Sequence, residues 1–375
     1  MSENNNTGTV SLDDEPADEP TRRLTIEDVA IAAGVSVATV SRALRGLPNV
    51  TAATRQRVQD AADRLDYLPD PAAARLAAGH TGTVTVAVPS LNGWYFSTVV
   101  AGAEAVCADA GLEFQVIAVS SPAQRDRLLD ESRRLERRTD GLILVDVTIE
   151  PHQRASLEQR GIGLAVIGAN VAGHPSVCID DELVGAMAAE HLVGLGHRLL
   201  AVVGGQPDGP LSFDVPAARW QGFSRALTAA GIDIGTVPFQ NGKFSMNGGY
   251  EATAALLDGP TPPTAIFAMS DEMAFGALMA FDERSLEPGV DVSIMGVDDH
   301  EFARVVDLTT IEQPVADHGS MAARMLIAAI CEAQQTRPHP SAALSAELSR
   351  HIRSVVPFRP AIDLIDRSTT GPPPA

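Results

Sequence analysis

The chain has few cysteines, no long apolar run and no catalytic or metal-binding signature, and each lack narrows what it does. Cys107, Cys178 and Cys331 are its three cysteines in 375 residues. Odd in number and far apart, they show neither disulfide nor zinc-ligand spacing and read as thiols of a cytoplasmic protein. No apolar stretch reaches the roughly 18 residues that span a bilayer, and the polar, acidic N-terminus is unlike a signal peptide. The run Gly204-Gly205-Gln206 lacks the Lys and Ser/Thr that a phosphate loop sets on phosphate and metal. No nucleophile-elbow sequence and no metal-ligand cluster appears. The expectation is a cytoplasmic protein that is not an enzyme and has no cofactor or metal.

What is present is enough apolar residue for a folded core, 45% of the chain, and a length that suits two or three domains. The net charge of −20 is unevenly spread. Residues 1–20 carry six acids and no bases, residues 21–80 carry eight Arg against six Asp or Glu, and residues 81–375 hold the remaining −16. The acidic, Asn-rich 1–20 reads as a disordered tail. Only the second segment has a positive balance, so any affinity for phosphates resides there.

That segment contains TIEDVAIAAGVSVATVSRAL at 25–44. Ile26, Val29, Ala30 and Ala33 recur at helical spacing behind Thr25, a plausible N-cap, with Glu27 and Asp28 in the first turn. Gly34 supplies a tight left-handed turn. Ser36 then caps a second helix with Val40 and Leu44 inward and Ala38, Thr39, Ser41 and Arg42 outward. Two short helices joined in this way make a helix-turn-helix, whose second helix fits a major groove. Thr51 caps a third helix to about Leu65, with Val58, Ala61, Ala62 and Leu65 as its buried stripe. Tyr-Leu-Pro-Asp-Pro at 67–71 ends it, and AAARLAAGHT supplies a short helix-capable segment before the next strand.

The pattern T-I-E-D-V-A-x-x-A-G-V-S-x-x-T-V-S-R-x-L, with T-x-x-T-R-x-R-V at 51–58 and Y-x-P at 67–69, resembles the DNA-binding head and hinge of the LacI/GalR family of bacterial transcription regulators. The resemblance places base-edge contacts at Val37 and Ala38, with Arg42 one turn on. Val and Ala can touch thymine methyls, which leaves Arg42 as the guanine reader. Thr25, Thr39, Ser41, Thr51 and Thr54 suit phosphate contacts. It also places Ala73 and Leu76 of the hinge in the minor groove, with Leu76 as a wedge between central base pairs. Two departures stand out: Asp70 where the family usually has Asn, and Ala74 where it often has Arg. Arg45, where Asn is usual, offers a compensating phosphate contact.

Beyond His80 strands alternate with helices. Strands are expected at 83–89, 112–119, 141–147 and 164–168, then at 199–205, near Val237, at 265–269 and at 292–297. Helices are expected at 96–110, through Arg138, after Asp180, at 216–230 and at 246–258. Strand and helix alternating twice over predicts an α/β body of two doubly wound parallel sheets, with ligands bound at the strands' carboxyl ends in the cleft between two lobes. Cleft candidates are Tyr95 and Phe96, Arg219, Phe244, Ser270 and Asp298, because aromatic faces with an Arg and an Asp suit a polar ring. His197 and Arg198 read as closing a helix C-terminus, and Asp271 as capping the helix after it.

HLVGLGHR at 191–198, SDEMAFGAL at 270–278, SIMGVDD at 293–299 and LTTIEQP at 308–314 extend the LacI/GalR resemblance through the body, and through it to periplasmic sugar-binding proteins. In the family, positions matching Arg219, Ser270, Asp298, Tyr95 and Phe244 line the effector pocket; Ser270 replaces a frequent Asn. The implied layout is a tail at 1–20, a helix-turn-helix domain at 21–69, a hinge helix at 70–80, an effector-binding and dimerisation body at 81–358 and a C-terminal tail at 359–375. The lobes exchange chain near 180 and 310–316. The implied function is a homodimeric repressor on a near-palindromic DNA operator, controlled by a small effector, a sugar or sugar derivative by default and a nucleobase as another candidate. The end of the chain lacks sustained heptads, so no tetramerising coiled coil is expected. Competing readings are control by a protein co-regulator and an α/β enzyme with a fused DNA-binding head.

Overall fold

A computed structural model describes residues 24–44, 49–67, 80–206, 214–334, 349–352, 354 and 356–374. The expectations for the 1–20 tail, for all of the hinge except His80, and for Arg45, Asp70, Ala73, Ala74 and Leu76 lie outside the described residues. The chain divides into two compact units between residues 79 and 80.

Among the described residues the first unit holds three helices, α1 (Ile26–Ala33), α2 (Val37–Leu44) and α3 (Ala52–Arg64). Their caps are built from short polar side chains. Asp28 Oδ2 accepts from the Thr25 N–H at 2.8 Å and from its hydroxyl at 2.9 Å. Ser36 Oγ accepts from the Thr39 N–H, and Thr51 Oγ1 from the Thr54 N–H, each at 3.2 Å. Gly34 turns the chain at φ +64°, and the Val35 N–H returns to the Ala30 carbonyl at 3.1 Å. Val29, Ala30, Ala33, Val40, Ala43, Val58, Ala61 and Ala62 form the core. The small residues among them let three short helices pack closely.

The second unit has two sheets. The first contains β1 (Thr83–Val88), β2 (Glu113–Ala118), β3 (Gly141–Val145), β4 (Gly163–Ile167) and β5 (Ser176–Val177), in the order β2-β1-β3-β4-β5 and parallel throughout. The second contains β6 (Leu200–Gly204), β7 (Phe239–Asn241), β8 (Ala265–Ala268), β9 (Ser293–Asp298), β10 (Thr309–Glu312) and β11 (Asp363–Ile365), in the order β11-β10-β9-β8-β6-β7. Only β11 runs antiparallel to its neighbour. GLILV of β3 is buried along its whole length, as expected for a strand covered on both faces. In each sheet the strand order reverses once, between β1 and β3 and between β6 and β8, which opens a crevice at the strands' carboxyl ends.

Helices α4 (Trp94–Asp109), α5 (Pro122–Asp130), α6 (Ser132–Leu135) and α7 (Pro151–Gln159) belong to the first lobe. The expected single charged helix ending at Arg138 is thus two, broken at Glu131. Helices α8 (Asp181–Gly194), α9 (Val215–Ala229), α10 (Met246–Leu257) and α11 (Asp271–Asp282) cover the second lobe. Helix α12 (Val315–Ala333) packs back on α4, β3 and β4 of the first. Neither α7 nor α12 figures in the expected alternation.

Three helix pairs meet backbone to backbone at reciprocal glycines. A Cβ on Gly185 of α8 would stand 1.9 Å from the Arg219 carbonyl oxygen, and one on Gly222 of α9 would stand 1.8 Å from that of Glu182. Gly102 of α4 meets Ala316 and Gly319 of α12 meets Val99, while Gly249 of α10 meets Met273 and Gly276 of α11 meets Met246. The α8–α9 contact brings Asp181 beside Arg219.

Among the described residues the chain crosses between lobes three times. Two crossings lie near 180 and at 313–315. The third corrects the C-terminal tail expected from residue 359: Phe358 still bridges Val177 of the first sheet, and β11 then pairs with β10 of the second, Thr310 opposite Ile365 and Glu312 opposite Asp363. The Thr369 hydroxyl donates to the Ile294 carbonyl at 2.8 Å and accepts from the Thr309 N–H at 2.9 Å. The Gly371 N–H donates to Ser293 Oγ at 3.0 Å.

Two local expectations are also corrected. Ser270, not Asp271, caps α11, its Oγ accepting from the Met273 N–H at 3.3 Å. Asp271 is fully buried and accepts from the Thr310 hydroxyl at 2.7 Å and the His300 N–H at 2.8 Å. Arg198 does bond the carbonyls of Val193 and His197, but the buried His197 ring lies within hydrogen-bond distance of Thr264, Ser293 and the Gly371 carbonyl. His197 therefore clamps the C-terminal segment to the second sheet rather than closing a helix.

Candidate effector cleft and DNA-binding head

The carboxyl ends of β1, β3, β4, β8 and β9 open on one cavity of about 400 Å³ between the lobes. Tyr95, Phe96, Arg219, Phe244, Ser270 and Asp298, the six cleft residues chosen from sequence, all line it. Asp146, Asp181, Glu272, Gln313 and His318 line it too and were not chosen.

Arg219 projects from α9 with 4% of its surface exposed. Its Nε donates to Asp181 Oδ1 at 2.8 Å and its Nη1 to the Met269 carbonyl at the end of β8. A guanidinium this deep needs a counterion, and Asp181 on the neighbouring helix supplies it. Burial pushes the Asp181 carboxyl up from its ordinary value, while Arg219 opposes the shift. Asp298 ends β9 and accepts from Gln313 Nε2 at 2.5 Å. Burial raises it to about 7 against the attraction of Arg219. Asp146 follows β3 and is raised to about 7 by burial and then by the charge of Asp181. The Tyr95 hydroxyl is likewise raised by burial, with Asp146 adding to the effect. Its ring meets Phe96 edge to face at 5.3 Å.

The backbone is strained around this cavity. Asp146, Lys243, Phe244, Asp298 and Asp299 have φ of +49°, +54°, +46°, +123° and +49°. Left-handed residues other than Gly gathered at one cleft mark a site where surrounding packing holds side chains against local preference. Gly205 makes room for the Phe244 ring, since a Cβ there would stand 2.1 Å from Cε2. The lobes also touch at the cleft's edge: Trp94 of α4 packs on His300 of the second lobe at 4.4 Å, and Glu272 accepts from the Trp94 backbone N–H.

In the head, Val37, Ala38 and Arg42 present an exposed face of α2, with Thr39 and Ser41 half-buried beside them. The hydroxyls of Thr51 and Thr54 lie 2.9 Å apart at the start of α3, and Thr25 stands at the start of α1. Arg45, Ala73 and Leu76, also expected on DNA, are outside the described residues.

Residues 25–70 match the family model of bacterial regulatory proteins of the lacI family, and residues 189–350 match that of the periplasmic binding protein-like domain. Catabolite control protein A of Priestia megaterium is 32% identical over 309 residues, covering 81% of this chain and 91% of that protein. The chain belongs to the LacI family. The HTH-type transcriptional repressor CytR of Escherichia coli K12 is 32% identical over 308 residues, 81% of this chain and 89% of its own. Among solved structures, the Lac repressor dimer bound to operator and the anti-inducer ONPF superposes with a TM-score of 0.74 at 27% identity, covering 93% of this chain and all of that one. The complex of the regulator CelR with cellobiose superposes with a TM-score of 0.61 at 26% identity over 92% of this chain and all of its own. As a LacI-family member this protein is a DNA-binding transcriptional regulator of the repressor type.

Proposed function

We propose that this regulator is a homodimeric, non-enzymatic repressor of a near-palindromic operator whose DNA affinity is set by a small hydroxylated effector, a sugar or sugar derivative, held between the lobes. The observation that carries the reading is the cleft itself. A cavity of sugar size is walled by both lobes, with Arg219, Asp181, Asp298 and Gln313 on one side and Tyr95, Phe96 and Asp146 on the other. A ligand touching both walls favours one inter-lobe angle over another, and a differential of about 1–3 kcal/mol is enough for allosteric control. Cellobiose in CelR and ONPF in the Lac repressor support a saccharide-like ligand.

The dimer reading draws on the Lac repressor dimer and on an apolar patch of the second lobe. Met279 of α11 is 56% exposed, and Phe302 and Val305 in the loop after β9 are 55% and 74% exposed. On DNA, Arg42 reads a guanine and Val37 and Ala38 touch thymine methyls, while Thr25, Thr39, Ser41, Arg45, Thr51 and Thr54 hold phosphates; Ala73 and Leu76 enter the minor groove. Binding sites selected from random DNA, followed by fluorescence anisotropy with and without saccharides, test the whole reading. Arg42→Ala is expected to weaken the selected site by about 1–3 kcal/mol and to relax its sequence preference at one position per half-site. Selected sites without two-fold symmetry, or a DNA affinity that no small molecule alters, would reject it.

A further inference from the structure

The two walls of the cleft are unequal in how their polar atoms are satisfied. On the second-lobe side Arg219 is held by Asp181 and the Met269 carbonyl, Asp298 by Gln313, and Ser270 caps α11. On the first-lobe side Asp146 Oδ1 and both ring nitrogens of His318 are buried and have no hydrogen-bond partner among the described residues. Both side chains line the cavity, Asp146 from the end of β3 and His318 from the first turn of α12. His318 is 1% exposed, and burial pushes it down to about 4, so the ring is neutral at physiological pH. A neutral imidazole offers one N–H donor and one acceptor. Asp146 Oδ1 lies against Gly168, where an added Cβ would meet it at 1.8 Å. Buried orphans of this kind are costly unless something satisfies them.

Charge narrows what that something is. Four carboxylates face the cavity, from Asp146, Asp181, Glu272 and Asp298, against two cations, Arg219 and Lys243. Arg219 is engaged by Asp181, and Lys243 lies 3.6 Å from Glu251 on the exposed side. Among the described residues no unpaired cation lines the cavity to receive a phosphate or carboxylate. Hydroxyls, by contrast, can donate to Asp146 and can either donate to the bare nitrogen of His318 or accept from its N–H.

We infer that the ligand of this cleft is an electrically neutral, hydroxyl-bearing ring, anchored at its first-lobe end by Asp146 and His318, and that phosphorylated or carboxylated counterparts are excluded. This rests on the effector reading above and specifies its chemistry. A free sugar and a nucleoside share that chemistry.

The test is thermal unfolding of the full-length protein with neutral probes (glucose, galactose, ribose, xylose, cellobiose, cytidine, adenosine), with glucose 6-phosphate, ribose 5-phosphate, adenosine 5′-phosphate and glucuronate beside them. Calorimetric titration of any hit follows, and an extract of cell metabolites is passed over the immobilised protein with retained compounds identified by mass. The expected result is a neutral compound that raises the unfolding midpoint while its anionic counterpart does not, the sugar or nucleoside arm naming the source. His318→Leu is expected to fold at least as stably as the parent, since it removes two orphaned atoms, and to bind the hit about tenfold more weakly or worse. His318→Gln, which keeps a donor and an acceptor, is expected to retain most of the affinity. Tighter binding of a phosphate ester, or unchanged affinity in His318→Leu, overturns this inference and leaves the effector reading standing. No hit and nothing retained from the extract overturns both.

Discussion

Arg219 shows how a single buried charge organises its surroundings. The guanidinium is visible in the sequence as an Arg near the start of a helix, but its counterion, 38 residues earlier in the chain, is not, because Asp181 reads like any acid in a helical first turn. Breaking a buried pair leaves an uncompensated charge. Arg219→Met is therefore expected to lose about 3–5 kcal/mol of stability in urea unfolding, and Arg219→Met with Asp181→Leu to recover most of it. Asp146 was equally hidden, an Asp at a strand end that resembles countless solvated turn residues. Its carboxyl holds a proton up to about pH 7 in the folded state, against about 4 in the unfolded chain. The folded state thus binds the extra proton between those values, so this contribution to stability is full below about pH 4 and is lost as pH rises through about 7. His318, lowered to about 4, acts in the opposite sense, its contribution being full above its ordinary value of about 6.5 and lost as pH falls through about 4. Asp146→Asn, which tolerates the left-handed backbone, is expected to be more stable than the parent at pH 8, with the difference shrinking by pH 5 in thermal unfolding.

Whole elements were easier to foresee than the way they meet. Strand runs such as TVTVAV and helical stripes are local and periodic, so their positions follow from sequence to within a few residues. Close approach of α8 and α9 depends instead on two glycines 37 positions apart facing each other. Gly222→Ala is expected to push these helices apart and destabilise the protein by about 1–3 kcal/mol or more. Gly194→Ala, at the end of α8 with nothing within 4 Å of a new Cβ, is expected to be neutral or slightly stabilising in the same urea titration. Because α8 and α9 carry Asp181 and Arg219, Gly222→Ala is also expected to disturb the cleft.

For the whole molecule, the third crossing matters most. Residues 359–374 look like a tail because β11 is three residues long, lies at a sheet edge and is flanked by prolines, so it has no periodic signal. Yet Thr369 and Gly371 satisfy buried groups of Ser293, Ile294 and His197. Truncation after residue 358 is expected to lower the unfolding midpoint by roughly 5–10 °C and to open the second lobe to limited proteolysis, whereas a true tail would leave both unchanged. The sequence by itself determined the three-helix head with its caps and left-handed glycine, the two alternating strand–helix series and their parallel sheets, and six residues that come together in one cleft. Each of those follows from local periodicity, local capping chemistry or a recurring motif. Only the tertiary structure decided that Asp181 neutralises Arg219, that Asp146 and His318, each with buried unpaired atoms, line the same cavity, and that the last segment completes the second sheet. These depend on which residues distant in the chain share a wall, which local periodicity and capping do not encode.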